Sequence, residues 1–147
     1  MNKMQSTAID VLNSLLRQEI SAVESYKQAM IKLPERQPIA TFEELQIAHA
    51  RRAQRLRKRV EQLGGTPRES SGARGRLAKA IAAAGALLGA GLAVSALEED
   101  EDRGLFDYRS SLDKLDNESR DLVLKELLPA QELTHSVMRT MKQSLRG

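Results

Sequence analysis

Apolar residues recur three and four positions apart along most of the chain, and this spacing constrains the fold more than any other feature. In an α-helix, residues three or four apart lie on the same face. The first segment carries such a stripe at Ile9, Leu12, Leu16, Val23 and Met30. Three later segments show the same pattern, so the sequence predicts an all-α protein whose four amphipathic helices bury their apolar faces together.

Capping residues, glycines and prolines indicate where these helices begin and end. Thr7 with Asp10 resembles a capping box, and Gly64-Gly65 is a typical helix stop. We expect the chain to form a single domain, 1–147, of two helical hairpins joined by a long crossover with a short Ala-rich extra helix. The expected helices cover about 7–31, 42–63, 92–115 and 117–145, and the expected crossover covers 64–91.

Composition and charge argue against several classes of protein. The chain has no cysteine, so it forms neither disulfide bonds nor thiolate metal ligands. With no recognisable signal peptide, this favours a cytoplasmic protein. The uncharged stretch over 80–97 is rich in Ala and Gly and too weakly apolar for us to expect membrane insertion. Arginines crowd 51–59 without interleaved aromatics, so we expect a solvated helix face and no nucleic-acid site.

Ionisable residues interrupt the apolar stripes at positions that should face the core. They are Glu19, His49, Glu101 and the pair Glu132-x-x-His135. A charged group is costly to bury unless it is paired, protonated or bound to a cation. Two interpretations remain open. The residues either pair with one another and fix the register of the helices, or they hold a metal ion.

The two halves of the chain repeat this arrangement. Glu19 precedes Tyr26 by seven residues, and Glu101 precedes Tyr108 by seven. The repeat predicts approximate twofold symmetry between the two hairpins. We expect both tyrosines in the core, with their hydroxyls hydrogen-bonded to the glutamates.

Pro129 lies inside the fourth predicted helix, shortly before Glu132. Proline has no N–H, and its ring clashes with the preceding helical turn. We therefore expect the helix to bend one turn before Glu132.

The order Glu19, Gln46-x-x-His49, Glu101, Glu132-x-x-His135 resembles the ligand set of the ferritin-like di-iron carboxylate proteins. The spacing of Glu19 and Tyr26 is similar to that in the first helix of rubrerythrins, and the likeness extends distantly to bacterioferritin. Nearly the whole chain resembles a group of small bacterial ferritin-like proteins of unknown function. The segments that carry this likeness are 19–24, 63–67, 70–73 and 125–129.

The resemblance implies a ferritin-like four-helix bundle with a di-metal site. Its ligands would be Glu19, His49, Glu101, Glu132 and His135, with further contacts from Gln46 and Glu98. Iron would be the cofactor, or another divalent metal such as manganese or zinc. Ferroxidase- or peroxidase-like chemistry in iron handling or oxidative-stress defence would follow from such a site.

Gln46 departs from the ferritin-like pattern, which has a bridging glutamate at this position. An amide is neutral and a weaker ligand, so the second metal ion should bind more weakly, or the site should hold one ion or none. The alternative function is a non-catalytic interaction protein whose metal site is degenerate. In that case the basic second helix and the acidic start of the third helix could pair between subunits of a homo-oligomer such as a dimer, or bind a partner.

Overall fold

The computed structural model describes residues 2–32, 39–72 and 76–146, and this part of the chain is helical without a β-strand. The all-α prediction is therefore confirmed. The helices are α1 (Lys3–Lys32), α2 (Ile39–Gln62), α3 (Arg76–Ser111), α4 (Asn117–Leu122) and α5 (Leu128–Arg146). A 3₁₀ turn, Leu112–Lys114, follows α3, and a π-helical turn, Val123–Leu127, joins α4 to α5. None of the helices in the described residues combines the length and apolar character needed to span a membrane.

The four long helices, α1, α2, α3 and α5, form a bundle in which each has two neighbours. Helix α1 packs closely against α2 and α3, and α5 packs closely against α3. The contact between α2 and α5 is sparser. Helices α2 and α3 therefore lie at opposite corners of the bundle, with α1 and α5 between them.

The apolar core is divided into two clusters. One cluster includes Leu12, Leu16, Leu56 and Leu127, and the other includes Tyr26, Phe42, Leu97 and Met138. Burial of these side chains drives the helices together, at about 1.5–3 kcal/mol for each large apolar residue. Buried polar residues lie between the two clusters and are described below.

After α2, the described part of the connection, residues 63–72, runs along the side of α1. Gly64 has a φ of 83° where α2 ends, which an L residue with a side chain rarely adopts. Asn13 then holds the connection, because its side chain donates to the carbonyl of Thr66 (3.1 Å) and accepts from the amide of Arg68 (2.9 Å). Further along, the hydroxyl of Ser71 donates to Glu24 (2.8 Å).

The prediction of a separate crossover helix is wrong. The Ala-rich segment is the first part of α3, which is continuous from Arg76 to Ser111 and so begins well before the expected residue 92. Glycine within a helix costs only about 1 kcal/mol relative to alanine. The glycines at 85, 89 and 91, with no proline among them, are therefore insufficient to end the helix.

The chain forms a π-helical turn just before Pro129, a feature that the sequence pattern does not predict. The amide of Leu128 donates to the carbonyl of Val123, five residues back. This wider turn holds one residue more than an α-helical turn, and one residue rotates the helix by about 100°. Because of this extra residue, positions four apart stay on the same face of the helix through the turn. The residues on this buried face are Ser119, Val123, Leu127 and Gln131.

Candidate functional site

Four ionisable side chains meet in the interior between the two apolar clusters, and we call them the polar layer. Glu19 comes from α1, His49 and Arg52 from α2, and Glu101 from α3. None is more than 3% exposed. These residues are therefore shielded from bulk water, where charge pairing is stronger but desolvation is costly.

His49 bridges the two glutamates. Its Nδ1 lies 2.7 Å from Oε2 of Glu19, and its Nε2 lies 2.6 Å from Oε1 of Glu101. A carboxylate oxygen only accepts, so both ring nitrogens must carry protons for both bonds to form. Burial alone would lower the pKa of His49, but the charges of Glu19 and Glu101 raise it to about 9. His49 is therefore an imidazolium at neutral pH.

Arg52 provides the second cation of the polar layer. Its Nε donates to Oε1 of Glu19 (3.2 Å), and its Nη2 donates to Oε1 of Gln131 (2.8 Å). Burial would lower the pKa of Arg52, but Glu19 raises it above its usual range. Nη2 also lies 2.7 Å from Nδ1 of His49, so two cations are held side by side. Their repulsion is offset by the two carboxylates, which balance the charge of the layer.

Every carboxylate oxygen in the polar layer accepts a hydrogen bond from the protein. Oε1 of Glu19 accepts from Tyr108 (2.8 Å) as well as from Arg52. Burial would raise the pKa of Glu19, but Arg52 and His49 hold it at about 2. In Glu101, Oε2 accepts from Gln131 (2.9 Å) and Thr134 (2.8 Å).

The two tyrosines relate the halves of the chain as the repeat predicts. Tyr26 of α1 donates to Glu101 of α3 at 2.7 Å, and Tyr108 of α3 donates to Glu19 of α1 at 2.8 Å. Each tyrosine thus bonds the glutamate of the other half. The expectation that their hydroxyls bond the glutamates is confirmed.

The structure does not bring Glu132 and His135 into the polar layer. Glu132 is exposed, and His135 lies at the edge of the bundle, with Nε2 3.6 Å from both Glu98 and Asp102. Gln131 and Thr134 face the layer instead. The predicted inward face of the last helix is thus wrong by one residue.

The two additional predicted contacts also lie away from the polar layer. Nε2 of Gln46 donates to the carbonyl of Val23 at 3.2 Å, which ties α2 to α1. Glu98 accepts from Lys142 of α5 at 3.4 Å. Three of the seven predicted metal contacts, Glu19, His49 and Glu101, therefore meet in one place.

The polar layer does not fit the metal site that the resemblance implies. A nitrogen ligand needs a free lone pair, which His49 lacks when both of its ring nitrogens donate to glutamates. Each oxygen of Glu19 and Glu101 already accepts at least one hydrogen bond from the protein. The guanidinium of Arg52 also brings a positive charge among them. Within the described ranges, no group of three or more His, Asp or Glu side chains is arranged to hold a metal ion.

The main residue absent from the sequence prediction is Arg52, because the crowding of arginines over 51–59 predicts a solvated helix face. Arg52 follows His49 by three residues and precedes Leu56 by four. This is the spacing of the apolar stripe itself. The spacing therefore indicates that Arg52 faces the core, although the neighbouring arginines favour an exposed position.

Comparisons with known proteins show the family to which the chain belongs. No curated protein matches the chain. No solved structure matches it either. Residues 7–114, which include Glu19, His49, Arg52 and Glu101, match the family model described as a domain of unknown function (DUF2383). The chain therefore belongs to this family of unknown function.

Proposed function

We propose that this chain is a non-catalytic interaction protein in which a buried, charge-balanced ionic layer fixes the helix register of a ferritin-like four-helix bundle. The observation that carries the proposal is the position of Arg52. Its guanidinium supplies the positive charge that the ferritin-like pattern would assign to a metal ion. The protein would then act through its surface.

The ferritin-like part of the proposal is supported by the two halves of the bundle. Helices α1 and α3 contribute matching glutamate and tyrosine pairs, and each tyrosine bonds the glutamate of the other half. A chain segment along α1 joins the two halves. These features agree with two related hairpins whose shared polar layer descends from a metal-binding ancestor.

The chemistry of the polar layer supports a structural role. Glu19, His49, Arg52 and Glu101 are nearly inaccessible, so a substrate would have to open the bundle to reach them. Each of them is already paired with an opposite charge. Buried ion pairs add little net stability, but they penalise other helix registers because a mispaired charge would remain buried.

Metal analysis tests this proposal against the di-metal prediction. Protein is purified after growth with added iron, and its iron, manganese and zinc contents are measured beside its thermal stability with and without a chelator. We expect no near-stoichiometric metal and no change of melting temperature with the chelator, because a ligand that binds only the native state would stabilise it.

Two variants show which residues hold any metal that is found. Near-stoichiometric metal that is lost in Glu101→Gln would contradict the proposal, since the carboxylate would then be a ligand. Metal that is lost only in His135→Ala would reveal a surface site at Glu98 and Asp102 and would leave the polar layer structural. The di-metal function remains a prediction that requires Arg52 to leave the layer.

A further inference from the structure

Two outward faces of the bundle carry opposite charge. The basic face lies in the middle of α2 and consists of Ile47, Arg51, Gln54 and Lys58, all of which are exposed. The exposed glutamates of α2, at positions 43, 44 and 61, lie beyond the two ends of this face. The acidic face lies on α3 and consists of Glu99, Asp102 and Phe106, which are also exposed, and two exposed arginines, Arg103 and Arg109, lie at its margin. The two faces therefore carry charges of opposite sign. Each also has one large apolar side chain at one end, Ile47 on the basic face and Phe106 on the acidic face.

The acidic face forms part of a shallow pocket. Together with Glu98 and Arg103 it lines this pocket, whose volume is about 500 Å³. Phe106 is 68% exposed and Ile47 is 44% exposed. Arg103 is engaged by Asp100 at 3.2 Å, so it does not neutralise the two exposed carboxylates. An exposed aromatic beside charged groups is typical of the anchor of an interface.

The spacing of the residues on the two faces matches when the helices run antiparallel. Arg51 follows Ile47 by four residues, and Asp102 precedes Phe106 by four. Gln54 follows Ile47 by seven, and Glu99 precedes Phe106 by seven. With Ile47 placed against Phe106, Arg51 meets Asp102 and Gln54 meets Glu99. Lys58 then lies one turn beyond Gln54, within reach of Glu99.

The positions of the faces exclude a closed pair that uses both. Helices α2 and α3 occupy opposite corners of the bundle, so their outward faces point in opposite directions. A twofold dimer requires both complementary surfaces on the same side of the molecule. When the basic face of one copy contacts the acidic face of another, the first copy keeps a free acidic face and the second keeps a free basic face.

We propose that copies of this chain associate head to tail, with the basic face of one copy on the acidic face of the next. This association rests on the interaction function proposed above and identifies its partner as a second copy. The contact is small and rich in exposed charge, so it is weak and sensitive to salt, which screens charges over about 10 Å at ~0.1 M. It forms open chains whose length increases with protein concentration.

Charge reversal of each face tests the proposal by analytical ultracentrifugation. One variant carries Arg51→Glu and Lys58→Glu, and the other carries Glu99→Lys and Asp102→Lys. We expect wild type to associate at low salt and to dissociate at high salt, while each variant alone remains monomeric. Mixed together, the variants should associate again at low salt in alternating order. The unchanged α2 and α3 faces are complementary to each other, and so are the two reversed faces. Arg139→Glu, a reversal on the exposed side of α5, should associate like wild type.

Three results would overturn self-association. They are a wild type that stays monomeric at low salt and high concentration, reversed variants that associate as wild type does, and a mixture of variants that does not associate. Circular dichroism of each variant shows whether it is folded. Since metal content is measured separately, failure here leaves the role of Arg52 in the polar layer standing.

Discussion

The Nε of Arg52 lies 3.2 Å from Oε1 of Glu19 in the centre of the helical bundle. Both side chains are at most 3% exposed, so neither charge is neutralised by bulk water. The pair connects α2 to α1, and the same guanidinium reaches Gln131 on α5. Arg52 thus crosses the sparse contact between α2 and α5.

Removal of the guanidinium should be costly. In Arg52→Ala, Glu19 stays buried with one cation fewer, and we expect the free energy of unfolding to fall by about 3–5 kcal/mol. Urea denaturation measures this loss. The matched control is Arg51→Ala, the neighbouring exposed arginine, which should change stability by no more than about 0.5 kcal/mol. Equal effects of the two substitutions would contradict the account.

Stability should fall as the pH rises through the range in which His49 loses its proton. Its pKa is about 9 in the folded protein and 6.5 when unperturbed, so the folded state holds more protons between these values. The contribution is complete below 6.5 and is lost as the pH passes 9, with a size of up to about 3 kcal/mol. Thermal unfolding across this range measures it.

Two histidine variants separate this effect from others. His49→Gln should be less stable and should lose the alkaline decline, whereas His135→Gln should retain it. On the acid side, the pKa of Glu19 is about 2 instead of 4.5, so its contribution is complete above 4.5 and is lost as the pH falls through 2. A wild type whose stability stays constant from 6.5 to 9 would show that His49 is not held as an imidazolium.

Gly104 should resist substitution because α3 and α5 approach closely there. A Cβ at this position would lie 2.5 Å from Nε2 of Gln131, which donates to Glu101. We expect Gly104→Ala to lower the free energy of unfolding by about 1–3 kcal/mol as Gln131 is displaced. Gly91→Ala is the matched control in the same helix. Its Cβ would contact nothing within 4 Å.

The control should change stability in the opposite direction. Alanine is favoured over glycine in a helix by up to about 1 kcal/mol, so Gly91→Ala should be neutral or stabilising. Chemical denaturation of both variants gives the comparison. A Gly104→Ala protein as stable as Gly91→Ala would mean that Gln131 is not fixed in the polar layer.

The tyrosine bonds should be equivalent in the two halves. Tyr26→Phe and Tyr108→Phe each remove one donor from a buried glutamate, and each should lower the free energy of unfolding by about 1–3 kcal/mol. The rings remain in place, so the apolar core is preserved. Denaturation of both variants should therefore give similar losses, and a large loss in one with none in the other would contradict the proposed symmetry.

Much of the polar layer could be predicted because its residues occupy regular helical positions. Glu19, His49 and Glu101 lie at core spacings in helices that the apolar pattern defines, and they meet as expected. The Glu–Tyr repeat likewise predicted that the tyrosine hydroxyls bond the glutamates, although not that each tyrosine bonds the glutamate of the other half. In these helices the face of a residue follows from its position in the sequence.

The last helix could not be predicted in the same way. Gln131-x-x-Thr134 and Glu132-x-x-His135 are both polar pairs at helical spacing, one residue apart. The π-helical turn before Pro129 adds one residue to the repeat, which sequence periodicity alone does not reveal. The resemblance to metal-binding bundles then favoured the pair that contains histidine, although the neutral pair faces the core.

The most direct test of a polar layer closed by arginine is a crystal structure determined after soaking with Fe(II) or Mn(II), with anomalous data collected at the metal edge. We predict guanidinium density beside Glu19, with the imidazole of His49 between Glu19 and Glu101, and no anomalous peak among these side chains. An anomalous peak between the two glutamates, with Arg52 turned away from them, would contradict the account.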